Sequence, residues 1–435
     1  MTEGRTGGGP AGSPPRNVVI TGMGIITATG IGIEQFWTNL RQRTSPATEV
    51  TRFDATPFRS RIAIQVEDFE AEDYMERSRA RRLDRFGQMT IALARQAVDD
   101  AGLAPDSIPS ERVAVQMGSA LGGIAHAEKQ MHGFMDGGVR SVDPRLALTV
   151  FCGATSCNIA IEFGFQGPNS TNAMSCASGT IAVGEAFRLI REGSVDAAVA
   201  GGVECPLAPL TYGAFSLIRA MTTRNHDPAR ACRPFDRDRD GFLMGEGGAV
   251  LVLEEEEHAR RRGARVYARV CGYGTTNDAH HMTAPRPDGT QAVRAMELAL
   301  GSAQVPASEI DYVNAHASST PLNDATESRA IRTVLGESAD RVPVSGTKPY
   351  YGHALGASGA IETVICALTL QRGWIPPTLN LEHPGDGCDL DYVVGNGRNG
   401  RLRNVLNNSF GFGGINASLV LSRGEDRPNA TRPAG

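Results

Sequence analysis

Lysine is almost absent from this 435-residue chain: only Lys129 and Lys348 occur, and arginine supplies the other cationic side chains. With 43 basic and 48 acidic residues the net charge is −5, so the chain lacks the basic excess that nucleic-acid binding draws on. No run of about 18 apolar residues occurs, which excludes a spanning helix; the most apolar helical stretch, 361–370, is short and carries Glu362. The eight cysteines form no Cys-x-x-Cys pair, and the histidines, including the adjacent His280 and His281, show no metal-ligand spacing. No apolar leader follows Met1, so the expected setting is a reducing cytoplasm, with no metal, nucleic acid or membrane as partner. Cys152, Cys157, Cys205, Cys271, Cys366 and Cys388 are expected to act as small buried hydrophobes.

What is present is ordinary for a soluble enzyme: 41% hydrophobic and 21% charged residues. Because single cores stop growing near ~250–300 residues, the length suits two domains or one large core made of two fused halves. Residues 1–16, rich in Gly, Pro and Ser, are expected to be a disordered lead-in, and 425–435 a flexible tail. Between them, short apolar runs that read as buried strands alternate with helical periodicity. Strands are expected from Asn17 and at 110–119, 196–203, 248–254, 265–272, 312–314, 343–345 and 417–422; helices at 32–41, 291–302, 324–335 and 359–372. That alternation predicts an α/β core with sheets covered on both faces. The similar runs 247–253 and 413–421, each two glycines leading into an apolar strand, hint at duplication. Four acids (254–257) followed by three arginines (260–262) suit a solvated helix joining the halves, 17–258 and 259–424.

Three distant segments each offer a reactive group among small residues. Cys176 lies in Asn-Ala-Met-Ser-Cys-Ala-Ser-Gly-Thr (172–180), ahead of a helical pattern through Ile181, Ala186 and Ile190. A helix N-terminus would favour its thiolate and lower its pKa. His316 lies in Val-Asn-Ala-His-Ala-Ser-Ser-Thr-Pro (313–321), and His353 in Gly-Thr-Lys-Pro-Tyr-Tyr-Gly-His-Ala-Leu-Gly-Ala-Ser-Gly-Ala (346–360). Close packing among those small residues would keep the His353 ring neutral and able to donate to a developing negative charge. A cysteine with two histidines suits acyl chemistry: a thiolate takes an acyl group from a thioester while the imidazoles polarise a second carbonyl. The scarcity of lysine makes Lys348, five residues before His353, a candidate for the same site. The glycine-rich run 411–414 around Phe412 can aim a backbone N–H at an oxyanion.

Together with Arg233-Pro-Phe-Asp-Arg-Asp-Arg-Asp-Gly-Phe-Leu-Met-Gly-Glu-Gly (233–247), Asp278-Ala-His-His-Met-Thr (278–283) and 408–416, these segments resemble the elongating β-ketoacyl-acyl-carrier-protein synthases of the thiolase superfamily, from about Asn17 to Ser422. The resemblance implies an α/β, thiolase-like, five-layered αβαβα fold from two duplicated halves, and a decarboxylative Claisen condensation in fatty-acid or type II polyketide elongation. It implies that Cys176 carries the acyl chain, that His316 and His353 hold the malonyl thioester, and that Lys348 and Glu362 support them. The backbone N–H groups of Cys176 and Phe412 would form the oxyanion hole, with Phe412 as gate. Thr283, Ser318, Thr320, Leu121, Phe215, Gly411 and Gly413 would bind substrate, Leu121 at a position tied to chain length. No cofactor is implied, since the substrates bring phosphopantetheine on acyl carrier protein. Arg81, Arg82, Arg140 and Arg219 would face that acidic carrier, within a basic cluster that includes Arg77, Arg79 and Arg85. The partner would be a second copy or a chain-length-factor-like paralogue. Ala317, Ser318 and Asn323 depart from the family pattern, as do Tyr350 and Tyr351, whose bulk is expected to reshape the malonyl or acyl site and points towards polyketide chemistry. The alternatives are a non-catalytic chain-length partner, which Cys176 disfavours, or another acyltransferase of the superfamily.

Overall fold

The computed structural model describes residues 15–104 and 107–424. The first apolar run forms strand β1 (Val18–Thr27), with all ten residues buried, as expected of a strand covered on both faces. It is followed by β2 (Val113–Gly118), β3 (Asn169–Asn172), β4 (Ala197–Glu204) and β5 (Gly247–Glu255). The second half supplies β6 (Ala268–Asn277), β7 (Tyr312–Asn314), β8 (Val344–Ser345), β9 (Asn404–Gly411) and β10 (Ile415–Ser422). Hydrogen bonding links them in the order β8-β7-β9-β10-β6-β1-β5-β4-β2-β3.

Each half therefore repeats one order, third-second-fourth-fifth-first, with the second strand parallel to the third and fourth and the remaining pairs antiparallel. The halves join where Val18, Val19 and Ile20 of β1 pair with Val270, Arg269 and Ala268 of β6. The similar runs at 247–253 and 413–421 fall on β5 and β10, the equivalent fifth strands.

Five layers result. Helix Arg85–Ala101 covers the outer face of the first half, helix Thr290–Ala303 covers that of the second, and helices Ser178–Arg191 and Ser358–Arg372 fill the space between. The outer helices approach at glycines: a Cβ on Gly22 would lie 2.2 Å from the Ala97 carbonyl oxygen, and one on Gly272 2.1 Å from that of Ala299. Burial on all sides explains why helix Ser358–Arg372 is apolar around nearly its whole circumference.

Several sequence expectations need correcting. The acidic run is only in part a solvated helix: Glu254 lies fully buried one residue before the end of β5, held by Arg262, His258 and Thr21, while Glu255 caps the short helix Glu256–Arg261. The strand expected at 265–272 begins at Ala268 and runs on to Asn277. The helix expected from Asp324 begins at Pro321, capped by the Thr320 hydroxyl. Cys157 is exposed, and Cys152 and Cys271 are half-buried. Of the expected lead-in, residues 1–14 lie outside the described residues, as does the tail 425–435, whereas Arg16 is bonded to Asp196.

Candidate active site

Cys176 occupies the tight turn Ser175–Ala177 that opens the central helix Ser178–Arg191. The turn Leu355–Ala357 opens the other central helix in the same way, and both begin on a residue of positive φ, Ser175 (50°) and Leu355 (40°). The two helices meet at their N-terminal ends: a Cβ on Gly359 would fall 1.9 Å from the Thr180 hydroxyl, and one on Gly179 would lie 2.8 Å from the Ala360 nitrogen. This contact brings the Cys176 turn beside the segment carrying His353. His316 arrives from a third direction, just past β7, in a loop where Ala317 and Ser319 also have positive φ.

Cys176, His316 and His353 line one cavity of about 500 Å³. The two imidazoles stand edge to face, 5.4 Å between centroids, and Phe242 packs on His353 at 5.2 Å. Leu121, Phe215, Thr283, Ser318, Thr320, Gly411 and Phe412 line the same cavity, with Arg219 at its rim; Gly413 does not reach it. Phe412 stacks on Phe215 at 6.4 Å, and its backbone N–H is directed at the Cys176 sulfur. Thr320 has two partners besides the cavity, the Ser318 hydroxyl and the Asn323 N–H.

Lys348 and Glu362 lie behind the cavity wall, fully buried and 2.5 Å apart. Lys348 also donates to the His316 carbonyl and lies 3.4 Å from His316 Nδ1. An ammonium has only donors, so His316 Nδ1 is the acceptor and its proton sits on Nε2. His353 Nδ1 lies 3.0 Å from the Ser358 hydroxyl; a proton donated there by Ser358 leaves Nε2–H as the donor of this ring too. Burial, joined by the charge of Lys348, holds both histidines well below the usual imidazole range, so both rings are neutral.

The thiol is a correction. Burial pushes Cys176 up, against the Ser175 hydroxyl, the Lys348 charge and the Phe412 N–H, so the resting sulfur is not the thiolate expected from its helix terminus. A second correction concerns Tyr350 and Tyr351: both are fully buried and neither lines the cavity, so they do not reshape it. Of the basic cluster, Arg77, Arg79 and Arg85 are engaged by Glu72, Glu162 and Glu246. Arg81 and Arg82 are exposed and border a second cavity of about 480 Å³, and Arg140 is exposed on a separate turn.

Sequence reasoning passed over several residues. Glu327, held up to about 7 by burial, accepts the N–H groups of His316 (2.7 Å) and Ala317 (2.8 Å) and so fixes the histidine loop. Glu204 does the same for Ala120, Leu121 and Gly356. His281, set aside for want of a metal spacing, lines the cavity. The signal for Glu327 was an acid one turn beyond Asp324 on a helix starting beside His316; Glu204, at a strand end, left none. Among the described residues no group of three His, Cys, Asp or Glu side chains is placed to hold a metal ion, and no helix is long and apolar enough to cross a membrane.

Residues 15–259 match the β-ketoacyl synthase N-terminal domain and residues 267–382 the β-ketoacyl synthase C-terminal domain. The chain belongs to the β-ketoacyl synthase family. It is 41% identical over 408 residues to 3-oxoacyl-[acyl-carrier-protein] synthase 2 of Synechocystis sp., covering 94% of this chain and 98% of that one. It is 40% identical to the enzyme of the same name from Coxiella burnetii, covering 94% and 99%. Among solved structures it resembles the ishigamide ketosynthase/chain length factor (36% identity, TM-score 0.89). It also resembles a type II PKS acyl-carrier protein complex with its ketosynthase bound to the hexaketide (33%, TM-score 0.88); each likeness covers 94% of this chain and all of the other. The thiolase-like α/β fold implied by the sequence is the fold of these neighbours.

Proposed function

We propose that the chain is an elongating β-ketoacyl-acyl-carrier-protein synthase that extends a fatty-acid or polyketide chain by decarboxylative condensation with malonyl-acyl carrier protein. The observation that carries this reading is the convergence of Cys176 with two neutral imidazoles on one cavity. In the first half-reaction the Cys176 sulfur bonds to the acyl carbon of an acyl-carrier thioester. The old C–S bond breaks, and the carrier thiol leaves with the proton that Cys176 gives up. The raised thiol makes deprotonation an event of the encounter with substrate rather than a resting state.

In the second half-reaction the Nε2–H groups of His316 and His353 donate to the malonyl thioester oxygen. The bond to the carboxylate breaks, carbon dioxide leaves, and the electron pair forms an enolate that these neutral donors stabilise. The enolate carbon attacks the acyl-cysteine carbonyl. The oxyanion accepts from the N–H groups of Cys176 and Phe412, then collapses, expelling the Cys176 thiolate, which takes up a proton. Lys348 fixes the His316 tautomer, and Glu362 is its counter-ion.

Arg81, Arg82, Arg140 and Arg219 are the proposed contacts for the acidic carrier, with Leu121 limiting the acyl chain. Exposed Met131, Phe134, Met135, Phe151 and Ile161, together with the free edge of β3, support pairing with a second copy or a chain-length-factor-like paralogue. The eight free cysteines suit a reducing cytoplasm.

Mass spectrometry after exposure to acyl-acyl carrier protein tests the reading. The wild type gains one acyl group, Cys176→Ala gains none, and His316→Ala and His353→Ala acylate but release no carbon dioxide from malonyl-acyl carrier protein. Acylation of Cys176→Ala at the wild-type level would overturn it.

A further inference from the structure

Two neighbouring tyrosines, both fully buried, have different partners. The Tyr350 hydroxyl donates to the Pro377 carbonyl oxygen at 3.2 Å. The Tyr351 hydroxyl donates to Glu362 Oε1 at 2.8 Å, the same oxygen that receives Lys348, and lies 3.3 Å from the Thr347 hydroxyl. The other carboxylate oxygen, Glu362 Oε2, is buried with no protein partner. Tyr351 therefore provides one of the two protein hydrogen bonds that Glu362 receives.

We propose that Tyr351 is a positioning residue for the condensation: its O–H holds Glu362 as the counter-ion of Lys348, so that Lys348 stays against His316 Nδ1 and leaves Nε2–H to donate to the malonyl oxygen. This rests on the function proposed above. The groups facing Glu362 are Lys348 and Tyr351 from the turn Lys348–Tyr351, Tyr312 from β7, and Cys366 one turn along its own helix; Cys232 faces Tyr351, and His316 lies beyond Lys348. Burial pushes the Glu362 carboxyl up, while Lys348 and Tyr351 pull it down. A hydrogen bond to the ionised form favours that form, so losing the phenol makes Glu362 take a proton at a higher pH. Lys348 then loses its counter-ion, and the acid side of the pH-rate profile moves up.

Three proteins test this: Tyr351→Phe, Tyr350→Phe, and the chain carrying 3-fluorotyrosine at position 351 alone. Each is assayed for acylation of Cys176 and for carbon dioxide release from malonyl-acyl carrier protein across pH. Tyr351→Phe is expected to lower kcat for decarboxylation about tenfold at neutral pH with KM unchanged, and to move the acid limb up by about one pH unit. Its acylation rate stays at the wild-type value, and Tyr350→Phe matches the wild type throughout. Fluorotyrosine, a stronger donor of the same shape, moves the acid limb down and keeps the test open should Tyr351→Phe not fold. The inference is overturned if Tyr351→Phe behaves like Tyr350→Phe, if it loses acylation and decarboxylation in parallel, or if fluorotyrosine leaves the limb in place. A wild type that acylates but never decarboxylates malonyl-acyl carrier protein overturns the functional reading itself, and this inference with it.

Discussion

Replacing Gly359 by Ala tests whether the two central helices touch where the reactive groups converge. The added Cβ would meet the Thr180 hydroxyl at 1.9 Å, the Ser409 hydroxyl at 2.8 Å and the Thr180 backbone nitrogen at 2.9 Å. Thr180 and Ser409 are already joined by a 2.6 Å hydrogen bond in a fully buried setting, so neither hydroxyl can swing into open space. The helices must separate, at a cost of ~1–3 kcal/mol for an overpacked core. The separation falls one turn from Cys176 and next to Ser358, whose hydroxyl bonds His353, and a shift near 1 Å at reacting atoms lowers rates by roughly 100-fold. Urea unfolding should therefore show the lower midpoint, and condensation of acyl-Cys176 with malonyl-acyl carrier protein should slow far more than that loss alone implies. Adding Thr180→Ala removes the nearest atom, so the double variant should recover part of both losses when compared with Thr180→Ala alone. A Gly359→Ala protein with wild-type midpoint and wild-type condensation would refute the contact, and with it the account of how the site is assembled.

Glu327→Ala strands the buried N–H groups of His316 and Ala317; it should destabilise by ~2–4 kcal/mol in urea, with Glu327→Gln, which keeps an acceptor, losing less. Because burial places the folded pKa of His316 and His353 below that of an exposed imidazole, both rings stay neutral as pH falls through 6.5; their NMR signals should not titrate between pH 6 and 8, and a midpoint above 6.5 for either would contradict the assignment. Reversing charge with Arg81→Glu and Arg82→Glu, exposed residues with no acidic partner among those described, should raise KM for carrier-bound substrates several-fold and flatten its salt dependence, while a pantetheine thioester lacking the carrier reacts unchanged. Phe412→Ala breaks the 6.4 Å stack on Phe215 and should admit bulkier acyl groups to Cys176, read as a broader acylation profile.

The parts of the fold legible in the sequence are those where composition follows burial directly. β1, β4 and β5 lie between two helical layers, so their unbroken apolar runs marked them. β3, whose four residues are polar and exposed or half-buried, has no apolar run to mark it, and strand order is a long-range property that no local pattern records. The repeat was nonetheless written in spacing: Gly22 and Gly24 on β1 have counterparts in Gly272 and Gly274 on β6, each pair facing an outer helix. Glu254 falls both at the end of the expected strand 248–254 and at the head of the acidic run; the strand reading holds, because its neighbours in space are Arg262, His258 and Thr21. Cys176 shows the same limit: a helix terminus is visible in the sequence, but the burial that opposes it is not. His281 was missed because its position on the cavity wall depends on the loop after β6 folding over the mouth.

The scarcity of lysine has a practical consequence once burial is known. Lys348 has no accessible surface, while Lys129 is exposed on helix Ile124–Gly137. Of the two lysines, an amine-reactive dye on the native protein thus meets only Lys129. A second dye on Lys348 requires the interior to open, so the rate of double labelling becomes a clock for excursions from the native state.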